Sequence, residues 1–171
     1  ITILYFTLPF ISIIAAVSAI LCIGLPFVLY SKEKKKVWCR SYCPRSSFLM
    51  VVGRKRGHYK KVPSVFSNGK LQKILLVYLT LNLIFISGST LQVAMQNMEM
   101  MPYLRLFIVI KLFPIPQLLS LPLPFWLIHL SYRLYSMMLS STLLGVAFAL
   151  LYRQRAWCTV CPINSVITKL N

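Results

Sequence analysis

Thirty consecutive residues without a charge, 1–30, open this sequence, and further apolar stretches of similar character follow at 74–95 and 134–152. A helix crosses the hydrocarbon core of a bilayer with roughly 20 residues, so each stretch reads as a membrane span. The first exceeds the 7–15-residue core of a signal peptide and is expected to stay in place; its extra length is absorbed by tilt. Pro9 and Pro26 mark kinks or boundaries within it.

The rest of the composition agrees. Hydrophobic residues make up 58% of 171, and against nineteen Lys and Arg stand only Glu33 and Glu99. These values lie outside the range of soluble domains. Barrel strands would alternate apolar and polar residues, which the long runs do not, so the expected fold is an all-α integral membrane helix bundle forming a single domain over 1–171. A formal charge of +17 would make nucleic acid a candidate partner for a soluble protein. Here the charge sits in loops between apolar spans, so anionic membrane lipids are expected instead and nucleic acid is not.

Residues 31–73 form a basic loop with thirteen of the nineteen cations. In the second span, 74–95, Asn82, Ser87 and Gly88 suit helix–helix contacts. The segment 96–133 resists a simple reading. It holds Pro102, Pro114, Pro116, Pro122 and Pro124, with Arg105 and Lys111, and its apolar pieces at 104–113 and 118–130 are short for a crossing. An interfacial or re-entrant hairpin is expected there.

Zero or two crossings in 96–133 put the basic loop and the tail at 153–171 on one side. That side then carries sixteen basic residues, the thirteen of the loop with Arg153, Arg155 and Lys169, against three elsewhere. The positive-inside rule makes it the cytoplasmic side, in a bacterial or archaeal inner membrane.

Both cysteine pairs fall on that side. They read Trp38-Cys39-Arg40-Ser41-Tyr42-Cys43-Pro44 and Trp157-Cys158-Thr159-Val160-Cys161-Pro162. Each is preceded by Trp, followed by Pro, and placed just past the end of a span. Short spacing lets two thiolates reach one metal, and four thiolates are the complement of one 4Fe-4S cluster and equally of one structural zinc. Disulfides are disfavoured in the cytoplasm, and two unrelated reduced pairs would not account for the repeated Trp-Cys and Cys-Pro. Nearby Arg40, Arg45, Arg153 and Arg155 would offset thiolate charge, although the positive-inside rule alone explains them. Cys22, within the first span, reads as a small packing residue.

The first motif, Cys39-x3-Cys43-Pro44, and the Ser46–Lys55 stretch after it, apolar and closing on Gly53-Arg54-Lys55, resemble the membrane-bound polyferredoxin-like 4Fe-4S proteins of the NapH, NosR and CcoG types. The second motif, Cys158-x2-Cys161-Pro162, is one residue shorter, the first lacks a Gly after Cys-Pro, and the soluble two-cluster ferredoxin module is missing. The resemblance therefore implies a minimal member. It implies Cys39, Cys43, Cys158 and Cys161 as ligands to cluster iron and favours iron–sulfur over zinc. Trp38 and Trp157 are candidate shields against water, weighed against the interfacial position that Trp takes at a membrane without any cofactor.

Other chemistry is sparse. His129 is a candidate haem ligand or quinone-pocket residue, weighed against an interfacial polar role, and His58 sits among cations and is expected to be solvated. Glu33 and Glu99 lie outside the spans, which argues against a proton pump or cation channel. Met95, Met98, Met100 and Met101 read as apolar lining rather than a copper site. With no catalytic constellation, the expected role is a non-catalytic electron-transfer subunit of a larger membrane redox complex, receiving electrons from a quinone or a ferredoxin-like donor. The alternative is a membrane scaffold or assembly subunit stapled by zinc.

Overall fold

A computed structural model of the chain describes residues 2–33, 42–54, 66, 69–99, 101–106, 110–112, 114, 123–154 and 156–169. Its helices are α1 (Thr2–Thr7), α2 (Ala19–Glu33), α3 (Pro44–Arg54), α4 (Lys70–Ala94), α5 (Phe125–Leu151), α6 (Ala156–Val160) and α7 (Pro162–Lys169), with 3-10 turns at Leu8–Phe10 and Ile13–Ser18. The strands among the described residues are β1 (Arg105–Leu106) and β2 (Ile110–Lys111), so the all-α class holds. Three helical stretches, Ile13–Lys32, Lys70–Ala94 and Phe125–Leu151, are long and apolar enough to cross a membrane, by length and composition.

Two of these differ in extent from the sequence reading. The first starts at Ile13 rather than near residue 1. Pro9 opens a 3-10 turn and has no N–H with which to continue α1, and Ser12 is extended at φ −149 and ψ 123 before helical structure resumes. Pro26, by contrast, sits inside α2, where one missing hydrogen bond does not end the helix. The last stretch begins already at Phe125, so the second apolar piece of the Pro-rich segment ends as the first turns of α5. The first piece does turn back on itself, as a β-hairpin. Arg105 pairs with Lys111 and Leu106 with Ile110, and the Leu112 N–H donates to the Leu104 carbonyl at 2.9 Å. The like charges of Arg105 and Lys111 are both placed over the Tyr103 ring, at 5.7 and 5.5 Å, and its π-face offsets their repulsion.

The chain packs as two compact units. One comprises Ile1–Leu21 and Leu81–Ser141. Its core joins Ile13, Ala16, Leu104, Tyr132 and Tyr135, with Tyr5 and Phe6 packed against it. The Tyr135 hydroxyl donates to the Phe6 carbonyl at 3.1 Å and the Tyr5 hydroxyl to the Ala16 carbonyl at 3.2 Å, so each buried ring finds an acceptor for its polar tip.

The other unit comprises Cys22–Thr80 and Thr142–Asn171, with a core of Leu49, Leu75, Ala149, Trp157 and Val160. Hydroxyls along the long helices are satisfied locally: Ser131 donates to the Leu127 carbonyl at 2.8 Å, and Thr80 to that of Leu76 at 2.9 Å. Such back-bonding lets polar residues sit in an apolar helix without an outside partner. Along α4, Ile74, Val77, Leu81, Ile84 and Leu91 are exposed, at spacings that place them along one helical face.

Candidate metal centre

Both Cys-Pro sequences make the same local structure. Pro44 opens α3 and Pro162 opens α7, each at a position where a missing N–H costs nothing and a fixed φ favours the helix. The cysteine before each proline stands at the helix mouth, and its carbonyl accepts the first turn: Ser47 N–H to Cys43 at 3.3 Å, Ser165 N–H to Cys161 at 3.0 Å. A serine four residues after the cysteine is thus part of the repeat, a correspondence the spacing of the cysteines alone does not reveal. In the second copy the Ser165 hydroxyl also donates to the Cys161 carbonyl at 2.8 Å, and the Asn164 side-chain amide donates to the Cys158 carbonyl at 2.9 Å. These bonds hold the short Cys158–Cys161 bend against the first turn of α7.

Packing brings the two motifs together within the unit of Cys22–Thr80 and Thr142–Asn171. The Cys158 thiol lies 3.7 Å from the Ser46 hydroxyl, on the first turn of α3. Arg45 donates to the Thr142 hydroxyl at 2.8 Å, and its guanidinium sits 5.7 Å from the centre of the Trp157 ring. Gln72 of α4 reaches the Ser165 hydroxyl of α7. Leu49 fills the space beside Gly145 and shares a buried cluster with Trp157 and Val160. Trp157 is only 2% exposed, and its indole N–H has no acceptor among the described residues. The ring is therefore held as an apolar wall next to Cys158 rather than as an interfacial anchor.

Gly53 explains how closely α3 approaches the turn after α5. A Cβ built on Gly53 would stand 2.9 Å from Gln154 Cγ and 3.1 Å from its Cα, so backbone as well as side chain must move to admit it. Gly53→Ala is expected to destabilise this unit by about 1–3 kcal/mol despite the better helix propensity of alanine, measured as a lower thermal unfolding temperature. An unchanged or raised unfolding temperature would contradict the close approach.

The four described cysteines, Cys22, Cys43, Cys158 and Cys161, are free and half-buried. Burial pushes the Cys161 thiol above its ordinary range, against backbone N–H groups of Asn164 and Ile163 and the Arg45 charge, which pull it down; Cys43 adds to the upward push. Cys43 and Cys161, from the two motifs, are thus within electrostatic reach of one another. Cys22 lies within the same reach of Cys43 and Arg45, closer to the motifs than a packing residue in a span suggests. Cys39, with Trp38 and Arg40, lies outside the described residues. Among the described residues no three His, Cys, Asp or Glu side chains form a group able to hold a metal ion. Three of the four expected ligands are therefore located, and they come from both motifs into one unit. Free thiols beside a guanidinium are donors that fit a thiolate-held, anionic group.

The zinc and haem alternatives fare differently. His129, the candidate haem or quinone residue, belongs to the other unit and is bonded there to Ser89 and to the Met101 N–H. Compared with curated proteins and with solved structures, the chain has no match. A family model described as a 4Fe-4S binding domain does match, over residues 15–63 and 136–170, two segments that between them contain Cys39, Cys43, Cys158 and Cys161. That match supports an iron–sulfur family and an iron–sulfur cluster as the cofactor, and lends nothing to zinc.

Proposed function

We propose that this chain is a membrane subunit that holds one 4Fe-4S cluster through Cys39, Cys43, Cys158 and Cys161 and relays electrons within a larger redox complex. The observation that carries the reading is the meeting of the two Cys-Pro motifs, with the Cys158 thiol 3.7 Å from Ser46 and Arg45 stacked on Trp157. Such a cluster, when bound, takes up and releases one electron at a time. The chain's own residues hold, neutralise and shield. Arg45 offsets negative charge, Trp157 and Leu49 exclude water on one side, Ser165 and Asn164 fix the cysteine backbones, and Ser46 meets the Cys158 thiol. Among the described residues no acid–base or nucleophilic constellation accompanies them, which suits a carrier rather than a catalyst.

Membrane placement is supported by the three long apolar helices and by the exposed apolar face of α4, which water would not stabilise and acyl chains would cover. The sixteen basic residues on the cysteine side favour the cytoplasmic face of a bacterial or archaeal inner membrane. The paired motifs favour a polyferredoxin-like subunit of the NapH, NosR or CcoG type, with a quinone or ferredoxin-like donor and further subunits as partners.

Protein purified without oxygen is expected to be brown, to contain iron and sulfide at about four each per chain, and to lose its absorbance with dithionite. Colourless protein with stoichiometric zinc would overturn the reading in favour of a structural staple.

A further inference from the structure

Outside the cysteine site, the unit of Ile1–Leu21 and Leu81–Ser141 buries positive charge with no carboxylate paired to it among the described residues. Arg133, on α5, is 8% exposed, and His129, one turn before it, is 0% exposed. Arg105, on β1, shares their surroundings: Arg105 Nη2 donates to the Met101 thioether sulfur at 3.0 Å and Arg133 Nη2 points to the same sulfur at 3.6 Å. The two guanidinium groups are close enough to repel each other. Only two carboxylates occur in the whole chain, Glu33 and Glu99, and neither pairs with these arginines among the described residues. A thioether is a weak acceptor, and here two cations share one.

The histidine relieves little of this. Its Nδ1 lies 3.4 Å from the Met101 N–H and its Nε2 lies 3.3 Å from the Ser89 hydroxyl. Arg133 Nε–H also donates to that Nε2, at a long 3.5 Å, and so competes with the Met101 N–H for the single acceptor nitrogen of a neutral ring. Arg105 Nε is buried and has no partner among the described residues. The two guanidinium groups converge on a point now filled by sulfur.

We propose that Arg105 and Arg133 form a binding site for a phosphate group, with the Met101 thioether holding the place that a phosphate oxygen takes. Guanidinium forks match tetrahedral oxyanions through paired N–H donors, and an anion here offsets the mutual repulsion and gives Arg105 Nε an acceptor. The surroundings favour a phospholipid headgroup as the source. Arg133 lies 5.5 Å from the centre of the Phe85 ring, and Phe85 is 51% exposed, so an apolar surface on which acyl chains can lie begins directly beside the charge. Free phosphate offers the same oxygens without that surface. The site is independent of the cysteine centre and shares no residue with it.

The test uses the full chain in a neutral sugar-based detergent, to which inorganic phosphate, phosphatidylglycerol or a phosphate-free galactolipid is added while thermal unfolding is followed. Phosphatidylglycerol is expected to raise the unfolding temperature by about 5–10 °C at saturation, and the galactolipid to leave it unchanged. A matching rise with inorganic phosphate assigns the site to the free ion; a rise with phosphatidylglycerol alone assigns it to the lipid. Arg105→Gln and Arg133→Gln should each abolish the shift, and Lys111→Gln, on the neighbouring strand, should keep it. Arg105 is only partly buried on a two-residue strand, so its variant remains informative if Arg133→Gln does not fold. An equal response to the galactolipid, no response to either phosphate source, or a shift that survives Arg105→Gln would overturn the assignment.

Discussion

Cys158→Ser lowers the iron content of the purified protein by about tenfold or more, and Cys43→Ser and Cys161→Ser do the same. The serine hydroxyl is close in size to the thiol and can still meet the Ser46 hydroxyl, now 3.7 Å from the Cys158 sulfur, so lost packing is a poor explanation for the loss. On the proposed ligand set, what disappears is one thiolate of four, with none to spare. Because metal binding free energy is also folding free energy, the variants should accumulate less in cells and unfold at lower temperature. Cys22→Ser is the informative control. Its thiol is near Cys43 and Arg45 yet belongs to neither Trp-Cys…Cys-Pro motif, and it should retain full iron. Full iron in all three motif variants ends the cluster reading, and loss in Cys22→Ser alone would move the ligand set.

Leu49→Ala is expected to cost about 2–5 kcal/mol of stability, the range for emptying a buried leucine site that relaxes only in part. Leu49 is 0% exposed, and its methyl groups pack where a Cβ on Gly145 would stand 3.2 Å away, within the cluster that also contains Trp157 and Val160. This side chain joins α3 to both α5 and α6, so the cavity opens between the helix that begins after Cys43 and the one that contains Cys158. Iron retention should therefore fall along with the unfolding temperature, although no ligand has been touched. Leu49→Met, which conserves volume, should lose less than about 1.5 kcal/mol and keep its iron. A loss below about 1 kcal/mol in the alanine variant would mean that the packing of α3 is not what gathers the two motifs.

Much of this arrangement was legible in the residues. Length and apolarity suffice to find three helices, because an uncharged run of that extent has few other stable forms. Trp-Cys and Cys-Pro, met twice, suffice to couple two places far apart in sequence. What escaped is instructive in each case. The prolines and short apolar pieces of 96–133 place the start of the third helix near residue 134, but the helix runs from Phe125, directly after Pro124, and Phe85, Met101 and Ser89 receive the Arg133 and His129 side chains of its first turns. Pro9 and Pro26 are the same residue with different outcomes, one opening a 3-10 turn and the other carried within α2, and local sequence does not separate them. The hairpin expected of the two apolar pieces of the Pro-rich segment differs from the β-hairpin found within the first piece, whose strands are two residues each, too short for alternation to register. Arg45 on the Trp157 ring is a contact across more than a hundred positions and has no local signature.

Ser46 and Cys158 touch although 112 positions separate them, and this imposes an order on biogenesis. A ribosome emits Cys43 long before its counterparts exist, so the nascent polypeptide carries a bare thiol through the synthesis of two apolar helices. Loading with iron has to wait until Cys161 has emerged and α5 has seated. A chain stalled before Cys161 would then emerge as a cofactor-free precursor.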